Sequence, residues 1–219
     1  MRKALRYISV TFLCLALFVS CAPKNVPDQE PEPSPAAYVP GAWEGGTYTS
    51  PFFGFSLVLP DGASVRSDCS SLLEGTDIMM MGPDTDITSG GTWCETVIND
   101  SSGRACAVLL VTDSLAATGV ALTAEDYASL MIRDMGASPE PSLSREAIAG
   151  TDYVVFRYPE QSDVYNTYFV GEKDGITIVW ILSSHGRQRP SPEEMIRALK
   201  ALDPPEEGAQ EPSGADAMP

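Results

Sequence analysis

An α+β fold, an antiparallel β-sheet flanked by helices, is what this chain of 219 residues predicts. Apolar runs of period two recur along residues 46–183, several joined by turn sequences short enough for hairpins. Two segments switch to helical spacing, one in the middle of the chain and one near its end, each behind an N-capping residue. The stretch 46–203, about 160 residues, suits one domain with one core.

Gly46 to Thr49 and then Phe53 to Leu59 alternate before the stop Pro60-Asp61-Gly62, which makes an opening strand. Ser67 to Gly75 suits a short helix, and Ile78 to Met81 a second strand. Thr92 to Ile98 and Arg104 to Val111 flank the polar turn Asn99-Asp100-Ser101-Ser102-Gly103 and read as a hairpin. Ala105 to Val111 is almost wholly apolar, so it belongs in the sheet centre, covered on both faces. Thr123 stands three residues ahead of Asp126, and Tyr127, Leu130, Met131 and Met135 follow at helical spacing until Gly136. Four further strands follow: Leu143 to Ile148, Asp152 to Tyr158, Val164 to Gly171 and Ile176 to Ser183, with Asp174-Gly175 turning between the last two. Ser191-Pro192-Glu193-Glu194 is a capping box with proline at the first helical position, opening a helix to about Leu202.

The ends differ from this domain. Arg2, Lys3 and Arg6 precede an apolar stretch from Ile8 to Val19 and small Ser20, the order of an export signal over residues 1–20. That stretch is too short to span a membrane, which takes about 20 apolar residues in a helix. Phe18-Val19-Ser20-Cys21 resembles the bacterial lipobox, and the resemblance implies that Cys21 is diacylated and becomes the new N-terminus. Residues 21–45 then form a tether: Pro23, Pro27, Pro31, Pro33, Pro35 and Pro40 among acids and alanines give a stiff spacer of about 3.1 Å per residue. Residues 204–219, again Pro, Glu, Gly and Ala, read as a disordered acidic tail. The expected location is extracytoplasmic, on a bacterial membrane, through lipid.

Charge narrows the partners. Loss of residues 1–20 removes three of the 14 Lys and Arg and none of the 30 Asp and Glu, leaving 11 basic residues and a net charge of −19. No Lys/Arg stripe offsets this, so nucleic acid is excluded as a partner. Among the cysteines remaining after Cys14 and Cys21, Cys94 and Cys106 are the better disulfide pair, since parity puts both on one face of the predicted hairpin. Buried free thiols at Cys69, Cys94 and Cys106 fit the odd count equally well.

No catalytic set emerges. His185 is the lone histidine, in a predicted loop with Gly186 and Arg187, and no nucleophile elbow accompanies it. Glycine-rich phosphate loops are missing too, so no cofactor and no enzymatic activity are expected. Met79-Met80-Met81 alternate across a strand and read as core, not as copper ligands. One acidic stretch has partial calcium-loop spacing: Asp84, Asp86, Thr88, Thr92 and Glu95 fall on five ligand positions, with Ser89 where the loop glycine belongs. Asp84, Asp86 and Glu95 are therefore the candidate ligands for a divalent cation. The aromatics Tyr153, Phe156, Tyr158, Tyr165, Tyr168, Phe169 and Trp180 crowd the late strands, where most should be core and part can line a binding face.

Tyr48 followed by Phe53-Gly54-Phe55-Ser56-Leu57-Val58-Leu59-Pro60, the helix at Thr123, Ile148-Ala149-Gly150-Thr151-Asp152-Tyr153 and the closing helix together resemble the PsbP-like class. That class is named after a photosystem oxygen-evolving subunit and shares its fold with a Ran-binding import factor. The resemblance implies an α/β/α sandwich and roles in binding and assembly, and it carries over no functional residue. The expected function is a membrane-anchored, non-catalytic binding or accessory module for an envelope protein or component. The alternatives are a lipoprotein that captures a small molecule or divalent cation, and, third, an envelope hydrolase.

Overall fold

The computed structural model describes residues 38–67, 69–82, 85–161, 164–185 and 190–202. Cys21, Asp84 and the terminal tail thus lie outside the described residues. In chain order the first strands are β1 (Ala42–Glu44), β2 (Thr47–Ser50), β3 (Phe55–Val58) and β4 (Ser64–Val65). Helix α1 (Ser70–Leu73), β5 (Ile78–Met80), β6 (Thr92–Asn99), β7 (Ala105–Asp113) and α2 (Ser114–Thr118) follow. Then come α3 (Ala124–Asp134), β8 (Ser144–Ile148), β9 (Thr151–Gln161), β10 (Val164–Lys173) and β11 (Ile176–His185). The described chain closes with α4 (Pro192–Arg197) and β12 (Leu199–Ala201).

These elements make the expected α+β architecture. The larger sheet runs β4-β6-β7-β11-β10-β9-β8 with β5 beside β6, and the smaller runs β1-β2-β3-β12. All pairings are antiparallel except that of β5 with β6. Strand alternation gives the large sheet two apolar faces. One carries Leu109, Phe169, Trp180 and Leu182 against Tyr48, Phe55 and Leu57 of the small sheet and Met195 of α4. The other carries Val97, Leu110, Phe156, Tyr168 and Val179 under Ala128 and Ile132 of α3. Residues 105–111 are thus central and covered on both sides, as their apolar run requires. The layers differ from a plain helix-sheet-helix sandwich in that a second sheet shares one outer layer with α4.

Helix α3 begins where its cap predicts: Thr123 Oγ1 accepts from the Asp126 N–H at 3.2 Å. At α4 the capping box is complete, with Ser191 N–H donating to Glu194 and Glu194 N–H donating to Ser191 Oγ. Its far end is not where the sequence puts it. The helix stops at Arg197, and Leu199–Ala201 pairs instead with Phe55–Leu57, where Leu199 fills the core beneath β3. The expected helix over 67–75 shrinks to α1.

The domain also starts earlier than residue 46. Gly45 and Gly46 adopt positive φ of 56° and 80° and fold Ala42–Glu44 back onto Thr47–Thr49 as a two-residue hairpin. Tyr38, within the predicted tether, packs edge-on to Phe52 at 5.2 Å. Met79 and Met80 are not core: they are 42% and 39% exposed, because β5 is an edge strand with little above or below it. His185 ends β11 and does not sit in a loop.

The β6–β7 turn is held by Asp100, whose Oδ1 accepts from Ser102 N–H at 2.8 Å, Ser102 Oγ at 2.6 Å and Arg104 N–H at 3.1 Å. Burial opposes ionisation of Asp100, yet these hydrogen bonds with Ser102 and Arg104 outweigh it and hold the carboxyl below its ordinary range. Asp100→Ala is expected to cost about 1–3 kcal/mol in urea unfolding, the usual effect of orphaning such donors. Because the folded-state value is lowered, the wild-type advantage persists at neutral pH and vanishes as pH falls through that lowered value. An unchanged urea midpoint would refute this.

Candidate functional site

Beyond the reach of the small sheet, one face of β8–β9–β10 opens into a groove of about 620 Å³ beneath α4. Its position follows from strand register. Val155 faces Phe169 and Arg157 faces Thr167 across the β9–β10 pair, all on the face that Trp180 shares further in. Core therefore grades into groove along each strand. Val155 and Phe169 form an apolar floor with Thr167, while Ile196 and Pro192 of α4 form the opposite wall.

Four charged side chains line the opening: Arg157 and Glu146 from the sheet, Glu193 and Arg197 from α4. All four are exposed, and among the described residues none of them takes part in an ion pair. The Arg157 guanidinium lies 4.5 Å from the centre of the Tyr165 ring, a cation–π contact that restrains it at the rim. Thr167 is 5% exposed, and its buried hydroxyl has no hydrogen-bond partner among the described residues. Buried polar groups are nearly always satisfied, so an orphan in a groove floor marks a place where a polar atom can be accommodated.

A second polar cluster lies on the same side of the sheet, where Glu95 enters. Cys94 opposes Leu110 and Thr96 opposes Leu109, so Glu95 is the extra residue of a β-bulge. The bulge lets two consecutive side chains meet one segment, which an unbroken strand forbids. Tyr38 Oη donates to Glu95 at 2.7 Å and Gly41 N–H donates to its other oxygen, while Trp43 Nε1 donates to Thr96 at 2.9 Å. Burial pushes the Glu95 carboxyl above its ordinary value of 4.5, against the pull of the Tyr38 and Gly41 hydrogen bonds.

Of the candidate calcium ligands, Asp84 lies outside the described residues, and Asp86 and Glu95 bond to different neighbours. Asp86 Oδ1 accepts from Thr88 N–H at 3.0 Å and Thr88 Oγ1 at 2.6 Å, capping a single 3-10 turn over Ile87–Ser89. Glu95 sits on β6, turned to Tyr38. Among the described residues no three His, Cys, Asp or Glu side chains converge as a metal site.

Cys94 and Cys106 do not share a face. A second register shift places Ile98 opposite Ala107 and Asn99 opposite Ala105, making Cys106 the extra residue there. With one bulge on each strand, simple parity fails: Cys94 joins the core under α3 beside Cys69, and Cys106 joins the core under the small sheet. Both carry free thiols that burial pushes up to about 12, out of the range of reactive cysteines.

Sequence reasoning singled out Phe156 and Phe169, which do line the groove, but not its charged and hydroxyl groups. A signal existed. Arg157 interrupts the apolar series Tyr153-Val155 on one strand, Thr167 interrupts the series ending at Phe169 on the next, and the hairpin sets them opposite each other.

No family model and no curated protein matches the chain. Among solved structures, it is similar to a Bacteroides thetaiotaomicron protein at 13% identity and a TM-score of 0.38, over 74% of this chain and 50% of that one. The chain thus spans about half the length of that structure. It is also similar to cyanobacterial PsbP (CyanoP) from Synechocystis at 12% identity and a TM-score of 0.40, over 77% of this chain and 100% of that one.

Proposed function

We propose that this chain is an extracytoplasmic lipoprotein, anchored through Cys21, whose domain is a non-catalytic binding module with the β8–β10 groove as its receiving surface. The observation that carries this reading is the groove's lining. It offers binding groups on several sides: guanidiniums, carboxylates, a buried hydroxyl and an apolar floor. Its size falls within the roughly 300–1,000 Å³ of ordinary ligand sites.

Hydrolysis is the weaker reading. Glu146 and Glu193 are both exposed to solvent, and among the described residues no imidazole, thiol or amine lines the groove. Anchoring accords with the acidic surface, which repels anionic headgroups and so needs a covalent lipid to stay at a membrane.

Metabolic labelling with an alkyne fatty acid tests the anchor in cells expressing the full chain. The wild-type protein should take up label and sediment with membranes, whereas Cys21→Ser should be unlabelled and leave the membrane fraction. Equal labelling of the two would remove the anchor from the proposal.

A further inference from the structure

We infer that the groove between α4 and the β8–β9–β10 face takes a small zwitterion with an apolar side chain, an amino acid or short peptide. This rests on the binding-module reading above. Three features of the lining choose the class.

The first is charge balance. The whole chain carries a net charge of −16, yet the groove brings Arg157 and Arg197 together with Glu146 and Glu193. A simple anion would meet two carboxylates there, and a simple cation two guanidiniums. A molecule bearing both charges satisfies both pairs, and being neutral overall it is not repelled by the surrounding acidic surface.

Availability is the second feature. Two of the other described arginines are occupied: Arg133 pairs with Asp134 and Arg145 with Glu125. Lys173 donates to the Phe52 carbonyl at 2.6 Å. Arg157 and Arg197 have no such partner among the described residues, and their planar forks suit a carboxylate. The Tyr165 ring keeps Arg157 at the rim, which reduces the ordering that binding must impose.

The third is the floor. Val155, Phe169 and Ile196 give an apolar seat for a side chain, and the unpartnered Thr167 hydroxyl beside them offers a hydrogen bond to a carboxylate or peptide oxygen. Ligand pockets combine apolar walls with a few converging polar groups in this way.

Calorimetric titration of the full-length chain tests the assignment with four probes: leucine, leucyl-leucine, N-acetyl-leucine and leucinamide. The zwitterions should bind saturably, and the two blocked probes at least roughly tenfold more weakly, as loss of a charge-assisted hydrogen bond implies. Arg157→Gln and Arg197→Gln should weaken leucyl-leucine while leaving leucinamide unchanged. Thr167→Val removes only the orphaned hydroxyl, so it should weaken leucyl-leucine without lowering the melting temperature. Blocked probes binding as tightly as zwitterions would overturn the zwitterion and leave the binding module intact. A flat response to all four probes would overturn the ligand class. Release of leucine from leucyl-leucine would instead overturn the non-catalytic reading on which it rests.

Discussion

Trp180→Ala is expected to lower the free energy of unfolding by about 3–5 kcal/mol, the cost of emptying a large buried site. Trp180 sits in β11, between β7 and β10 at the centre of the large sheet, and is 1% exposed. Its ring lies 6.1 Å from that of Phe55 on β3, so it is one of the side chains that join the two sheets. Removing it leaves Leu57, Leu182 and Met195 facing a void that neither sheet can close, because each is fixed by its own hydrogen-bonded register. A domain of this size is stable by about 5–15 kcal/mol in total, so the loss is a large fraction. The measurement is the urea midpoint at unchanged slope, and a shift below about 1 kcal/mol would show that the small sheet is not seated on β11 as described.

The elements that local chemistry dictates were legible in the sequence. Thr123 with Asp126, Ser191 with Glu194, and Asp174-Gly175 each act within four residues, and the structure has a cap, a capping box and a tight turn there. What distant partners decide was not legible. Leu199 continues a helical spacing as well as a strand, and only pairing with Leu57, far away in sequence, settles it as β12. Ala42–Glu44 sits next to a proline-rich run that reads as spacer, although Gly45-Gly46 is itself a hairpin signal. The two bulges left no such local signal: each shifts parity by one residue, so Cys94 and Cys106 lose the shared face a disulfide between them would need, and Glu95 turns to Tyr38 and away from the loop to which spacing alone assigned it.

That displaced glutamate yields the other large effect. Glu95→Ala is expected to cost about 2–4 kcal/mol, since it strands the Tyr38 hydroxyl and the Gly41 N–H, each worth about 1–3 kcal/mol when left unsatisfied. Glu95→Gln should cost far less at neutral pH. Its amide oxygen can accept from Gly41 N–H while its NH₂ donates to Tyr38 Oη, so both partners stay paired. The two variants also separate the effect of charge. Burial raises the folded-state value for Glu95, so the folded chain binds a proton more tightly there than the unfolded chain does. The contribution of this site to stability is therefore greatest below the ordinary glutamate range and declines as pH climbs through that range to the raised value. Glutamine cannot ionise, and the difference between Glu95→Gln and wild type should grow in favour of the variant over that same interval. If the two pH profiles run parallel, Glu95 does not carry its charge in the place described. Tyr38 opens the described residues after the segment that leads from Cys21 and Gly41 follows three positions on, so in Glu95→Ala the loosening should begin there, with faster exchange of the Gly41 amide than of amides in β11.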